Sequence, residues 1–227
     1  MPKDASEKPP IEVLVLPRST FPLQRFMPVV DQGFPTKLLE HSAWIPRQDA
    51  ETSSDWIQPI PCALIRNHSQ RYFTLRRIRH TRSDLRARIS LVVGGHIDAP
   101  DEPHPSPSLF LSTLRRELIE ELRLSDIDAI QPIAIVADMS SIEASRHVAF
   151  VYEVRASRSL MSHAPEEFSR RSKFTAQFLT PKDLYRLHGM LDPWSSILFE
   201  EYIVPQSALR IATQNQFGFI PGDRENR

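Results

Sequence analysis

The segment LRRELIEEL at 114–122 constrains this chain more than any other. Leu111, Leu114, Leu118 and Leu122 recur at intervals of three and four, the repeat of one face of an α-helix. The spacing predicts a helix over about 109–124. On it, Glu117, Glu120 and Glu121 fall at i, i+3 and i+4 and project onto neighbouring sites. Like charges so placed repel by only about 0.2–0.5 kcal/mol per pair on an exposed helix, too little to exclude an ordinary surface. Two roles are therefore open. The glutamates form a solvated face, with Arg115 and Arg116 paired to Glu120, or they form a platform for a divalent cation. Hard cations such as Mg²⁺ take carboxylate oxygens and keep open positions for phosphate.

The flanking sequence sets the fold class. Apolar or alternating runs at 60–67 and 71–78, separated by HSQ, have the pattern of a hairpin. A further run at 87–96 ends on Gly94-Gly95, in a chain with only six glycines. Strands are predicted at 127–139 and 146–156, a strand leading into a helix at 175–187, and a last amphipathic helix at 192–209. Strands interspersed with helices and no fixed-period repeat point to an α/β or α+β fold. Upstream, residues 1–10 are charged and proline-rich, as in a disordered lead-in, and residues 11–17 have the β-branched content of a short strand. From 18 to 55 the chain is irregular: Pro22, Pro28, Pro35 and Pro46 interrupt it, while Phe21, Phe26, Phe34 and Trp44 need a surface to pack on. Residues 11–55 thus read as an elaboration of a main domain at 56–210, followed by a tail at 211–227.

Net charge is zero, so there is no wholesale attraction to nucleic acid or to an anionic membrane. No apolar run reaches the roughly 18 residues of a spanning helix, and the N-terminus lacks a signal-peptide core; a cytoplasmic location is expected. The single cysteine, Cys62, rules out an intrachain disulfide and a multi-cysteine zinc site. In the run IPCALI it reads as a small buried hydrophobe rather than a nucleophile. The one strong local asymmetry lies between Arg71 and Arg88, where seven arginines face a single acid, Asp84. Arginine's planar fork suits phosphate, and Arg76 and Arg77 are the best candidates for that contact. A nucleic-acid surface is the weaker alternative, because only Tyr72 and Phe73 interleave with the charges.

A strand ending in Gly94-Gly95, a loop, and an arginine–glutamate pair on a helix together resemble the signature of the Nudix hydrolases. That signature runs Gly, five residues, Glu, seven residues, then Arg-Glu-U-x-Glu-Glu-x-Gly-U, with U bulky and apolar. From Arg116 to Leu124 the chain matches every specified position except the glycine, which is Arg123. WIPR at 44–47, GGHI at 94–97, RHVAFVYEV at 146–154 and PWS at 193–195 resemble a branch described as predicted phosphoesterases. The first half of the signature departs from the pattern. Arg116 follows Gly95 by 21 positions rather than 14, and the first glutamate would fall on Ser108. Asp101 or Glu102, inside the inserted proline-rich loop, would have to replace it.

The resemblance implies an α/β/α sandwich around a mixed β-sheet, with the N-terminal extension packed against it. It also implies Mg²⁺- or Mn²⁺-dependent cleavage of a phosphoanhydride bond in a nucleoside diphosphate linked to another group. By the same resemblance Glu120 and Glu121 are metal ligands, Glu117 is a further ligand or the general base, Arg116 orients the glutamates, and the Gly95 carbonyl is a metal ligand. The implied partner is a small nucleotide-type molecule, and homodimers are common in the family. Glu143 is a candidate second base, with Glu153 behind it; the plainer role for Glu143 is an ordinary loop carboxylate. His96 is placed to reach phosphate, or is structural. Arg47 would clamp phosphate, or pair with Asp49 or Glu51. Trp194 reads as an anchor for the last helix rather than a stacking platform. The alternative function is a non-catalytic sensor of a nucleotide metabolite, which would not need all three glutamates.

Overall fold

A computed structural model describes residues 10–29, 36–77, 88–99, 106, 108–156 and 174–207. Among the described residues ten strands form one mixed sheet: β1 (Glu12–Pro17), β2 (Phe26–Pro28), β3 (Ala43–Pro46), β4 (Trp56–Arg66), β5 (Tyr72–Arg77), β6 (Ile89–Ser90), β7 (Val92–Gly94), β8 (Ile127–Ala137), β9 (His147–Ala156) and β10 (Phe174–Leu179). The main path runs β10-β5-β4-β9-β8-β2, with β1, β3, β6 and β7 paired beside it. β4 and β9 pair in parallel from Gln58↔His147 to Arg66↔Arg155, and the other paired strands are antiparallel.

Side chains alternate across a strand, and β4 sorts them into two cores. Ile57, Ala63 and Ile65 belong to one core, with Phe110, Leu114, Leu118 and Leu122 of helix α3 (Ser108–Leu122). (Helices α1, Thr36–Leu39, and α2, Arg47–Thr52, precede it.) Ile60, Cys62 and Leu64 belong to the other core, with Leu184 of α4 (Pro181–Arg186) and Ile197 and Leu198 of α5 (Pro193–Leu198). Helices on both faces of a mixed sheet make the α/β/α sandwich. Phe110, Leu114 and Leu118 are fully buried, each contributing about 1.5–3 kcal/mol by the area it removes from water.

Four details differ from the sequence expectation. Leu111 is not on the buried stripe of α3 but 39% exposed; the inward face is Phe110, Thr113, Leu114, Glu117, Leu118 and Leu122. The run at 87–96 divides at Leu91 because its halves serve different neighbours, β6 pairing with β5 and β7 with β4. The Leu91 N–H released at the break donates to Ser195 Oγ at 2.8 Å. The stretch 18–55, read as irregular, contains β2, α1, β3 and α2, each too short for its proline spacing to reveal a period. The last helix starts on the side-chain cap of Asp192 over the Ser195 N–H and passes into a π-helical turn at Phe199–Ile203.

α3 ends on Arg123, whose φ of 55° lies in the left-handed region that favours glycine. Its N–H donates to Ile119 O and that of Leu124 to Leu118 O, both at 3.0 Å, so the helix is capped as a glycine would cap it. Arginine pays a backbone penalty of roughly 1–2 kcal/mol there.

Candidate active site

The site forms where β7 runs out against α3. Gly94 lies opposite Cys62 in register, and Gly95 follows it. Neither glycine has a positive φ. They are small because the space around them is taken. A Cβ on Gly94 would sit 2.0 Å from Pro61 O, and one on Gly95 would sit 2.3 Å from both Cδ and Oε1 of Glu117. Gly95 is therefore a seat for the Glu117 carboxylate, while Gly94 lets β7 lie close on β4.

Glu117 occupies the inward stripe of α3, where only 9% of it is exposed. Burial pushes its carboxyl above the ordinary carboxylate range; Arg116 opposes the shift, and Glu120, Glu121 and Asp98 add to it. Glu120 and Glu121 are exposed one turn further along the helix. Arg116 ties the group together. Its Nη2 donates to the His96 carbonyl at 3.0 Å and lies 2.9 Å from Glu117 Oε1, while Nη1 lies 3.0 Å from Glu120 Oε2. One guanidinium thus fixes the loop after β7 and two of the three glutamates.

Asp98 was not foreseen in the sequence. Its Oδ2 lies 3.5 Å from Arg116 Nη2. A bridge between Val13 and Asp98 holds it there. Ser108 opens α3 and shares a hydrogen bond of 2.6 Å with Ser106 Oγ. Asp101 and Glu102 lie outside the described residues.

The other candidates separate clearly. His96 Nε2 meets His147 Nε2 at 3.4 Å with the rings edge-to-face, and burial, Arg47 and His147 press the His96 imidazole down to about 4, so it is neutral. Parallel pairing of β9 with β4 is what delivers His147, a partner 51 positions away in sequence. Arg47 pairs with Glu51 at 2.9 Å, one of the two partners considered for it. Arg76 is exposed on β5, in register with Ile89 and Thr175, and Arg77 ends that strand opposite Phe174. Arg79, Arg82 and Arg86 lie outside the described residues. Cys62 is buried and its thiol is pushed far up, by burial first and then by Asp192 and Glu117, as suits an inert core residue.

Glu153 is held as a structural residue. It is buried in an ion pair with Arg66 and accepts a hydrogen bond from Tyr202 Oη at 3.1 Å. Glu143 is different. It is exposed on the wall of a pocket of about 370 Å³ beside Gly94. Hydrogen bonds from its own N–H and from Ser141 hold its carboxyl below the ordinary range, so it is ionised. His147, Trp194, Asp138, Asp192 and Arg88 also line this pocket. Trp194 packs against the second core as well, so it anchors α5 and faces the pocket.

The candidate donors are of the chemical kind that a hard divalent cation takes. All are oxygens, from Glu117, Glu120, Glu121 and the Gly95 carbonyl, and the carboxylates repel one another. Among the described residues no three His, Cys, Asp or Glu side chains close into a metal cage.

Solved structures place this architecture. Tm1382, proposed to be a Nudix hydrolase, is similar over 89% of this chain and 100% of its own, with TM-score 0.65 and 19% identity. A MutT/Nudix family protein from Listeria innocua is similar over 68% of this chain and 97% of its own, with TM-score 0.50 and 10% identity. The fold is of the Nudix type. No protein-family model and no curated protein sequence matches the chain, so the Nudix likeness is one of architecture. Among the described residues no helix is long and apolar enough to cross a membrane.

Proposed function

We propose that the protein is a Mg²⁺- or Mn²⁺-dependent hydrolase that cleaves a phosphoanhydride bond in a nucleoside diphosphate linked to another group. The observation that carries this is the Arg116 clamp, which holds Glu117 and Glu120 against the His96 carbonyl while Gly95 makes room for the buried carboxylate. Glu120, Glu121, Glu117 and the Gly95 carbonyl would hold the metal. When bound, the metal neutralises charge on the phosphate oxygens and polarises phosphorus for attack.

The chain's own residues do the rest. The attacking water gives its oxygen to phosphorus as the P–O bond of the anhydride breaks, and its proton passes to a carboxylate. Glu117, whose raised proton affinity suits a base, is the first candidate for that proton; Glu143, ionised on the pocket wall, is the second. Arg116 keeps the glutamates apart and aimed, and His96, neutral beside His147, offers a hydrogen bond to phosphate rather than a charge. The reading is tested by a phosphate-release screen over nucleoside diphosphate compounds, run with Mg²⁺, with Mn²⁺ and with a chelator. Turnover that needs the metal supports it. Tight binding without turnover would favour the sensor instead.

A further inference from the structure

The pocket beside Gly94 is lined by Ile60, Cys62 and Val92 of the second core, and its wall residue His147 meets His96, whose carbonyl Arg116 holds. At about 370 Å³ it matches the size of a sugar or nucleoside. Its wall has a definite chemistry. Trp194, Ile60 and Val92 supply apolar surface, and Asp138, Glu143 and Asp192 supply carboxylates. Asp138 Oδ1 accepts the Ser140 N–H and Asp192 Oδ1 the Ser195 N–H, both at 2.9 Å, which fixes both side chains. The wall also holds one guanidinium, Arg88, which donates Nη1 to the Gly189 carbonyl at 2.7 Å. Among the described lining residues, acids therefore outnumber arginine by three to one.

Building on the hydrolase reading, we propose that this pocket receives one end of the substrate and selects an end that bears no phosphate of its own. The preferred group is neutral or cationic, rich in hydroxyl or amine donors, and flat enough to lie on Trp194. Three carboxylates accept hydrogen bonds from such donors, whereas a second phosphate brings about −1.5 to −2 of like charge into a walled pocket. Asp138, Glu143 and Asp192 are then specificity residues, separate from the glutamates that would hold the metal.

The test uses three compounds on the full-length protein: an adenosine diphosphate hexose, the same compound phosphorylated on the hexose, and the same compound phosphorylated on the ribose 2′-oxygen. Hydrolysis is followed with Mg²⁺, and binding by calorimetry on Glu121→Gln without metal. At least one phosphorylated compound is expected to lose 100-fold or more in kcat/KM, mainly through KM, with a parallel loss in binding. The blocked end is the one the pocket holds. In Asp138→Asn/Asp192→Asn, which keeps both amide-accepting oxygens and the α5 cap, that discrimination falls at least 10-fold. Equal use or equal binding of all three compounds overturns the proposal. So does discrimination unchanged in the double variant, or no binding of any of them. Charge-selective binding without turnover leaves this proposal standing and removes the hydrolase reading, so the two fail separately.

Discussion

Replacing Gly95 by alanine tests how the site is built. The backbone there suits any residue, because φ is not positive, so the substitution asks only about space. The new Cβ would lie 2.3 Å from Glu117 Cδ and Oε1 and 2.6 Å from Oε2, well inside contact distance. Glu117 is buried and held by Arg116 at 2.9 Å, so moving its carboxylate aside strains that pair. Overpacking of this kind costs about 1–3 kcal/mol. In a Glu117→Ala background the obstruction is gone, and the cost of Gly95→Ala should fall below about 0.5 kcal/mol, a coupling of about 1–2 kcal/mol. Urea unfolding of wild type, both single variants and the double, in metal-free buffer, measures it; melting shifts by about 2–4 °C per kcal/mol for a chain of this size. An equal cost of Gly95→Ala in both backgrounds would refute the seat.

Three other perturbations read different parts of the structure. Glu117 holds its proton more tightly folded than unfolded, so it lends stability in acid and loses it as pH rises through the raised value. Glu117→Gln should therefore gain on wild type as pH rises from the acid range toward neutrality in metal-free buffer; a flat difference would contradict the shift. Arg123→Gly relieves the left-handed backbone at the end of α3 and should stabilise by about 0.5–1 kcal/mol after glycine's entropic cost, read as a rise in melting temperature. Glu153→Ala leaves Arg66 buried without its carboxylate and should cost about 3–5 kcal/mol in urea unfolding, as befits a structural residue; a change in rate at unaltered stability would return Glu153 to the list of bases.

What could be read in the sequence was local. Helix α3 shows its own period, and Arg116, Glu117 and Glu120 interact within a single turn, so both helix and clamp follow from spacing. The face of that helix was read less well. Leu111 matched the period yet is exposed, while a glutamate, Glu117, takes an inward position that a hydrophobicity pattern assigns to solvent. Partners set by sheet register were not legible at all. His147 reaches His96 only because β9 lies parallel to β4, and Asp98 reaches Arg116 through its bridge to Val13. A count along the signature pointed to Ser108 or the inserted loop, since nothing in the spacing shows which acid the fold carries back to the arginine. Asp138 and Asp192 escaped notice for the same reason: they come from separate loops that meet only across the pocket.

In the reading proposed above, Glu117, Glu120 and Glu121 form a catalytic metal platform rather than a solvated face. That reading is tested most directly by the Mg²⁺-dependent turnover of Glu121→Gln beside wild type, on whichever nucleoside diphosphate compound the screen identifies. Glu121 is exposed, so the exchange should leave the melting temperature within about 2 °C of wild type. The metal-platform account predicts that turnover falls to the metal-free background while the fold persists. Turnover equal to wild type, in a protein equally folded, would contradict it.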